Sequence, residues 1–164
     1  MGEKKHAYAA TFERGIENPM RIAIASDHAG VDLKARIVEL VGEIGREVSD
    51  LGPADTTSVD YPDFAHAVAQ AVASGEAERG ILICGTGIGM SLAANRHPLV
   101  RAALCHDAFT AEMARCHNDA NVLCLGARST GPGVAEQVVR IFLDTPFAGG
   151  RHQRRVEKIE QEDR

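Results

Sequence analysis

Residues 81–89 read ILICGTGIG, and this stretch decides the fold. Its first three residues are apolar at successive positions, which is typical of a strand covered on both faces in a parallel sheet. Three alternate glycines follow Cys84, and the residues after them have helix-forming composition. A strand that enters a helix through such a loop leaves backbone N–H groups unpaired, and these groups favour an anion. The stretch therefore predicts an anion site with Cys84 at its edge.

The loop admits two interpretations when it is taken alone. A cysteine that ends an apolar strand is more often a small buried side chain than a reactive group. The loop also lacks the dinucleotide-binding pattern, because Met90 follows Gly89 and the unit lies in mid-chain. A chemical role for Cys84 therefore depends on the residues that the fold brings to the loop.

Composition narrows the class of protein. Hydrophobic residues make up 45% of the 164, which is enough for the core of one domain without metal or disulfide support. The net charge of −5 argues against a nucleic-acid or membrane-surface partner, since either needs a basic face. No segment has the length and apolarity of a bilayer span, and residues 1–19 lack the apolar run of a signal peptide. We expect residues 1–19 to form a partly disordered extension, native or vector-derived, before a single domain at 20–164.

The cysteines are not arranged as a metal or redox motif. None of the 4 cysteines forms a CxxC pair, so the sequence predicts neither a zinc site nor a thioredoxin-type motif. Cys84, Cys105 and Cys124 end or lie within apolar runs, which is typical of reduced thiols in a cytoplasmic protein. We expect Cys105, Cys116 and Cys124 to be packing residues.

Predicted strands and helices alternate strictly from Met20 onward. The strands are unbroken apolar runs, and apolar residues recur at three- and four-residue spacing in the helices. The predicted strands are 21–25, 47–51, 80–84, 101–105 and 122–125, and the predicted helices are 31–44, 61–73, 89–96, 108–116 and 133–143. Strict alternation implies a parallel sheet with helices on both faces. We therefore predict a Rossmann-like α/β fold, a three-layer sandwich around a five-stranded parallel sheet, with a C-terminal helix that opens at Arg151.

Polar and titratable residues follow the predicted strands at their carboxyl ends. Asp27 and His28 follow the first strand, Thr86 the third, His106 the fourth and Arg128 the fifth. Ligands of such sheets bind beyond the carboxyl ends of the strands, where the strand order reverses. The clustering predicts a functional site at this edge and leaves the role of His106 open.

Two more polar clusters lie outside these strand ends. His117 and Asn118 precede the fifth strand, and Arg151 and Arg155 stand at i and i+4 of the last helix. A charged terminal helix is often only a solvated face. Arginines on one side of a helix can also hold a phosphate by charge-assisted, two-pronged hydrogen bonds. In an acidic protein, this local positive charge favours an anionic small molecule over a polymer.

Five sequence strings carry a family resemblance: IASDHAG, DYPDFA, GILICGTGIGMSLAANR, CHNDANVLCLGAR and GGRHQRRV. They cover the chain in order from Met20 to about Glu160. This part of the chain resembles the type B ribose-5-phosphate isomerase family, which also includes the galactose-6-phosphate isomerase subunits. The resemblance implies an aldose–ketose isomerase that works through an enediolate without metal or cofactor. It also implies a homodimer, or a tetramer of paired dimers, whose sites lie at the interface between chains.

The resemblance also implies roles for individual residues. Cys84 would take the proton from the carbon beside the carbonyl and return it to the neighbouring carbon, with the helix N-terminus stabilising its thiolate. The Thr86 hydroxyl would carry a proton between the substrate oxygens, and His117 would open the sugar ring with help from Asp27. The other implied contacts are the oxyanion-binding amides of Gly85, Gly87 and Gly89, the sugar contacts of His28, Tyr61 and Asn118, and a phosphate clamp of Arg128, Arg151 and Arg155 with His152 nearby.

The loop differs from that of some family members, which replace the cysteine by a glutamate a few residues further on. Here that region has Met90 and Ser91, so Cys84 is the only candidate base in the loop. Galactose-6-phosphate isomerases divide their active-site residues between two different subunits, whereas Cys84 and His117 occur together here. The resemblance therefore favours ribose 5-phosphate as substrate, with allose 6-phosphate or galactose 6-phosphate as alternatives.

Two other classes of function stay open. A sugar-phosphate-binding protein could keep the pocket without turnover, although Cys84 and His117 are both present. A thiol-redox protein would need a resolving cysteine near Cys84, and Cys105 or Cys124 could approach it in space.

Overall fold

The computed structural model of the protein describes residues 19–160. The predicted fold class is confirmed, because five parallel strands alternate with helices and a last helix follows them. The strands are β1 (Arg21–Ser26), β2 (Glu47–Asp50), β3 (Arg79–Cys84), β4 (Ala102–Leu104) and β5 (Val122–Gly126). The helices are α1 (Val31–Glu43), α2 (Tyr61–Ala73), α3 (Ile88–Ala94), α4 (Ala108–Cys116), α5 (Pro132–Asp144) and α6 (Arg151–Ile159).

The strand order across the sheet is β2-β1-β3-β5-β4, and every neighbouring pair is parallel. The chain runs outward from β1 to β2 on one side, and from β3 to β4 and back to β5 on the other. The order therefore reverses between β1 and β3, which is where open α/β sheets bind ligands. Asp27 and Cys84 stand on the two walls of this crevice, because they follow β1 and end β3.

Each face of the sheet has its own hydrophobic core. One core holds Ile83 and Leu125 of the central strands under α1, α4 and α5. The other holds Leu82 and Cys124 under α2 and α3. The central strands are apolar at successive positions because both of their faces are covered.

The observed boundaries lie within 2 residues of the predicted ones. Helix α3, for example, begins at Ile88 because Gly87 precedes it in a left-handed conformation. The predicted extension at residues 1–19 lies outside the described residues except for Pro19. Within residues 19–160, no helix has the length and apolarity that a membrane crossing requires.

Gly30 and Gly42 provide a matched test of how α1 packs. A Cβ at Gly30 would lie 2.8 Å from Ile83 Cγ2 and 2.9 Å from Ser26 Cβ, whereas nothing lies within 4 Å of one at Gly42. Gly30→Ala should lower the free energy of unfolding by about 1–3 kcal/mol, because the backbone must move. Gly42→Ala should raise it by about 0.5–1 kcal/mol, because alanine favours a helix over glycine. Urea unfolding at equal protein concentration measures both, and shifts of the same sign would contradict this packing.

Candidate active site

Cys84 ends β3 and begins a loop whose backbone folds back onto its sulfur. The Gly87 N–H donates a hydrogen bond to Cys84 Sγ at 3.1 Å. Gly87 reaches it at φ +77°, a left-handed conformation that residues with side chains rarely adopt. Thr86 is exposed beside the buried thiol, and its Oγ1 accepts from the Ile88 N–H at 3.3 Å. The loop thus places a thiol and a hydroxyl together at the carboxyl edge of the sheet.

Two side chains lie over Gly85 and Gly89 of this loop. A Cβ at Gly85 would lie 3.5 Å from Arg128 Nη1, and one at Gly89 would lie 2.7 Å from the Tyr61 ring. Arg128 follows β5, the neighbour of β3, and Tyr61 begins α2. The structure therefore brings both predicted contacts to the loop that follows Cys84.

Asp27 and His28 lie on the opposite wall of the crevice. The Asp27 N–H donates to the Ile83 carbonyl at 2.9 Å, which joins the turn after β1 to the end of β3. Asp27 is buried, and its Oδ1 accepts from the Ala29 N–H at 2.9 Å. His28 Nδ1 accepts from the Val59 N–H at 3.3 Å, so the neutral ring carries its proton on Nε2.

Sequence reasoning missed Lys34, which holds the segment that leads from β2 toward α2. Lys34 is 3% exposed. Its Nζ donates to both carboxylate oxygens of Asp50 at 2.6 and 2.7 Å, and to the Pro53 carbonyl at 2.9 Å. The signal that could have identified it is its place between Leu33 and Ile37 on the apolar stripe of α1.

A second group of predicted site residues lies where α4 ends and α6 begins. His117 follows α4 directly, and its ring stacks on that of His152 with centroids 4.2 Å apart and planes 6° apart. His152 is buried, whereas Arg151 and Arg155 on the same helix and Asn118 after His117 are exposed. Burial lowers the pKa of His152, and nearby His117, Arg151 and Arg155 lower it further.

The two groups lie at opposite ends of the sheet. His117 precedes β5, whose first residue Val122 pairs with Gly80 near the start of β3. Cys84 is at the other end of β3, which has 6 residues, so the ends lie roughly 16 Å apart. The group at the carboxyl edge contains Cys84, Thr86, Asp27, His28, Tyr61 and Arg128, and the group at the amino edge contains His117, Asn118, Arg151, His152 and Arg155. One chain therefore does not bring all the predicted site residues together.

The strand register argues against a redox pair between Cys84 and Cys124. Cys124 pairs with Leu82, which is two residues before Cys84 on the neighbouring strand. Strand spacing and rise then place the two Cα atoms about 8 Å apart, whereas a disulfide needs about 7 Å or less. Cys105 belongs to the core on the other face of the sheet. Neither cysteine is placed to resolve an oxidised Cys84.

The remaining histidines of residues 19–160 join neither group. His66 Nδ1 and His97 Nε2 lie 2.7 Å apart and share a hydrogen bond. Burial lowers the pKa of His97, and His66 lowers it further. His106 is exposed after β4, an edge strand that β5 separates from β3. Across this described part of the chain, no three His, Cys, Asp or Glu side chains are grouped so that they could hold a metal ion.

Comparison with known proteins gives consistent matches over nearly the whole described chain. The family model of Ribose/Galactose Isomerase matches residues 22–159. Ribose-5-phosphate isomerase B of Escherichia coli is 47% identical over 85% of this chain and 93% of its own length. D-erythrulose-4-phosphate isomerase of Pectobacterium atrosepticum is 43% identical over the same shares of 85% and 93%. The solved structure of the type B ribose 5-phosphate isomerase of Trypanosoma brucei is 52% identical, with a TM-score of 0.85 over 87% of this chain and 97% of that one.

Fold and similarity together define the class of protein as an aldose–ketose isomerase of sugar phosphates. The chain belongs to the Ribose/Galactose Isomerase family. This confirms the resemblance carried by the five sequence strings, and it favours an enzyme over a thiol-redox protein.

Cys105 and Cys124 should resist alkylation in the folded protein. Burial raises the pKa of the Cys105 thiol to about 11, and it raises the pKa of the Cys124 thiol as well. Because the thiolate is the reactive form, iodoacetamide at about pH 8 should spare both and modify the more exposed Cys116. Peptide mass spectrometry measures this, with urea-unfolded protein as the control in which all the cysteines react. Modification of Cys105 or Cys124 as fast as of Cys116 would show that these thiols are not buried.

Proposed function

We propose that the protein interconverts ribose 5-phosphate and ribulose 5-phosphate through an enediolate. One observation carries the proposal: the loop after β3 presents the Cys84 thiol beside backbone N–H groups and the Thr86 hydroxyl. Aldose–ketose isomerisation needs a base at carbon, donors for a developing oxyanion and a proton carrier between two oxygens. A single loop contains a candidate for each, which favours catalysis over binding alone.

Cys84 is the base in this proposal. Its thiolate removes the proton from C2 of open-chain ribose 5-phosphate and returns it to C1 of the enediolate, so the carbonyl moves from C1 to C2. The hydrogen bond from the Gly87 N–H holds the sulfur at the end of β3. Cys105 and Cys124 do not compete for this role, because burial raises the pKa of both thiols.

The substrate oxygens need a proton transfer of their own. As the carbonyl moves, the hydroxyl on C2 loses its proton and the oxygen on C1 gains one. The exposed Thr86 hydroxyl carries this proton between them. Backbone N–H groups of Gly85 and Gly89 bind the charge that develops on the oxygens, and Asp27 on the opposite wall contacts the sugar hydroxyls. After both transfers the substrate has the same number of protons as before, and Cys84 and Thr86 return to their starting states.

The complete site forms between two copies of the chain. His117, which opens the furanose ring, lies at the other end of the sheet from Cys84 in one chain. Apolar side chains are exposed on α3, which follows the Cys84 loop: Ile88 is 52% exposed and Leu92 is 62% exposed. A homodimer that covers this apolar surface would bring His117 of one copy to Cys84 of the other.

The phosphate of the substrate then binds between arginines of both copies. Arg128 extends over Gly85 beside the loop, and Arg151 and Arg155 are exposed on α6 of the second copy. Guanidinium groups bind a phosphate dianion by charge-assisted hydrogen bonds. The distance from Cys84 to these arginines therefore selects the length of the sugar.

Ribose 5-phosphate is the first choice of substrate for two reasons. Cys84 and His117 occur together in this chain, and the Escherichia coli relative is named as a ribose-5-phosphate isomerase. The name of the Pectobacterium relative supports a four-carbon ketose phosphate as a second candidate. Assays of ribose 5-phosphate beside erythrulose 4-phosphate, allose 6-phosphate and galactose 6-phosphate decide between them. Faster turnover of another sugar phosphate would change the substrate without changing the proposed mechanism.

Cys84→Ala should abolish isomerisation and leave sugar-phosphate binding largely intact, because the base is lost while the arginines remain. Cys105→Ala is the matched control, since it removes a buried thiol in the opposite core, and it should retain turnover. Ketose formation, measured with a chelator present, reports catalysis, and calorimetry reports binding. Wild-type turnover by Cys84→Ala would remove Cys84 as the base.

Mixing two variants that each lack one catalytic side chain tests whether two chains share the site. Refolding Cys84→Ala together with His117→Ala gives mixed dimers in which one of the two sites has both residues. Random pairing makes half of the dimers mixed, so about a quarter of wild-type activity should return.

The control mixture is Cys84→Ala with Thr86→Ala, in which no dimer has an intact site because both changes fall in one loop. It should recover no activity. If the first mixture recovers no more activity than the separate variants while mass spectrometry shows mixed dimers, the proposal that two chains share the site is wrong.

A further inference from the structure

Arg115 is a buried arginine that the proposed mechanism does not use. It lies in the last turn of α4, two residues before His117, and is 2% exposed. Its Nη1 donates to Asp119 Oδ1 at 2.8 Å and to the Ala120 carbonyl at 2.5 Å. Its Nε donates to the Thr145 carbonyl at 3.3 Å. One guanidinium group therefore joins the turn after His117 to the end of α5.

The turn that Arg115 holds has an unusual backbone. Asp119 adopts φ +46°, a left-handed conformation that is uncommon for residues with side chains. A second arginine also holds it, since Arg101 donates from Nη2 to Asp119 Oδ2 at 3.1 Å and from Nε to the Asp119 carbonyl at 2.9 Å. Asp119, two residues after His117, is thus held by guanidinium groups on both sides.

Further contacts place α6 against His117. Arg115 contacts the residue directly after α5, where the short connection to α6 begins. In that connection the Ala148 N–H donates to the Cys116 carbonyl at 3.0 Å. His152, in the first turn of α6, stacks on His117. The end of α4 and the start of α6 are therefore positioned together.

We infer that Arg115 is a positioning residue that fixes His117 relative to Arg151 and Arg155. The inference rests on the proposed function, in which those groups open the ring and bind the phosphate. The guanidinium bonds go to a carboxylate and main-chain carbonyls, so Arg115 acts through His117 and does not touch the substrate. Lysine cannot replace it fully, because an ammonium group lacks the planar fork that reaches several acceptors.

Arg115→Lys is the test variant, since it keeps the charge beside Asp119 and loses the fork. Arg46→Lys is the matched control, because Arg46 pairs with Asp144 at the end of α5 at 3.1 Å and does not contact the turn. Arg115→Lys should lower kcat for ribose 5-phosphate by about 10- to 100-fold, the usual effect of a misplaced catalytic group. Arg46→Lys should keep wild-type kinetics, and wild-type kcat in Arg115→Lys would overturn the inference.

A double variant separates positioning from a loss of stability. In a His117→Ala background, Arg115→Lys should change the residual kcat by less than about twofold, because the residue it positions is absent. A loss as large as in the wild-type background would overturn the inference.

A second readout does not need turnover. The ring proton resonances of His117 and His152 report their stacked geometry, and they should shift in Arg115→Lys but not in Arg46→Lys. Unchanged resonances would overturn the inference. If the resonances shift in Arg115→Lys but the wild-type protein converts no sugar phosphate, the positioning role is supported and only the proposed function is overturned.

Discussion

The loop after Cys84 lies directly on the end of β5, and no side chain fits between them. A Cβ at Gly126 would lie 2.8 Å from the Thr86 carbonyl carbon and oxygen, and one at Gly87 would lie 2.9 Å from the Leu125 carbonyl carbon. This contact of backbone with backbone accompanies the left-handed conformation from which the Gly87 N–H reaches the sulfur. The position of the thiol thus depends on glycines in two elements and on the pairing of β3 with β5.

Parallel strands also determine which groups one chain can bring together. Every strand ends at the same edge, so residues that follow strands meet there, as Asp27 and Cys84 do. Every connecting helix returns to the other edge, so His117 after α4 lies at the far end of the sheet. On the proposed function, pairing of chains completes the active site, and activity should depend on protein concentration wherever the dimer dissociates.

The fold and the carboxyl-edge group could be predicted because both follow from local patterns. Apolar runs, helical spacing and the residues directly after each strand are all read within a few positions of one another. The buried charges could not be predicted in this way, because each has at least one partner that is distant in sequence. Lys34 bonds Asp50 16 residues away, and Arg115 bonds Thr145 30 residues away. A charge in isolation is more often solvated, and the place of Lys34 on the apolar stripe of α1 was a local sign against this.

The location of His117 at the amino edge of the sheet was not predicted either, for a different reason. The family resemblance groups residues by chemical role and not by the end of the sheet at which they lie. The chain order contains that information, since a residue that precedes a strand lies at its amino edge. A shared role in one site suggests, however, that His117 and Cys84 lie close together. The register of β5 against β3 shows that one chain separates the two groups by the length of a strand.

This separation bears on how the family distinguishes sugars. On the proposed function, Arg128 belongs with the Cys84 loop, whereas Arg151 and Arg155 belong with α6, and each group is held by its own contacts. A longer or shorter sugar must then be accommodated by how the two copies pair. Relatives named for a four-carbon and a five-carbon phosphate are 43% and 47% identical to this chain, so names for both lengths of sugar occur at similar identity. Exposed residues of α3, such as Leu92, are therefore better candidates for selecting the sugar than the loop glycines, whose geometry the proposed proton transfer requires.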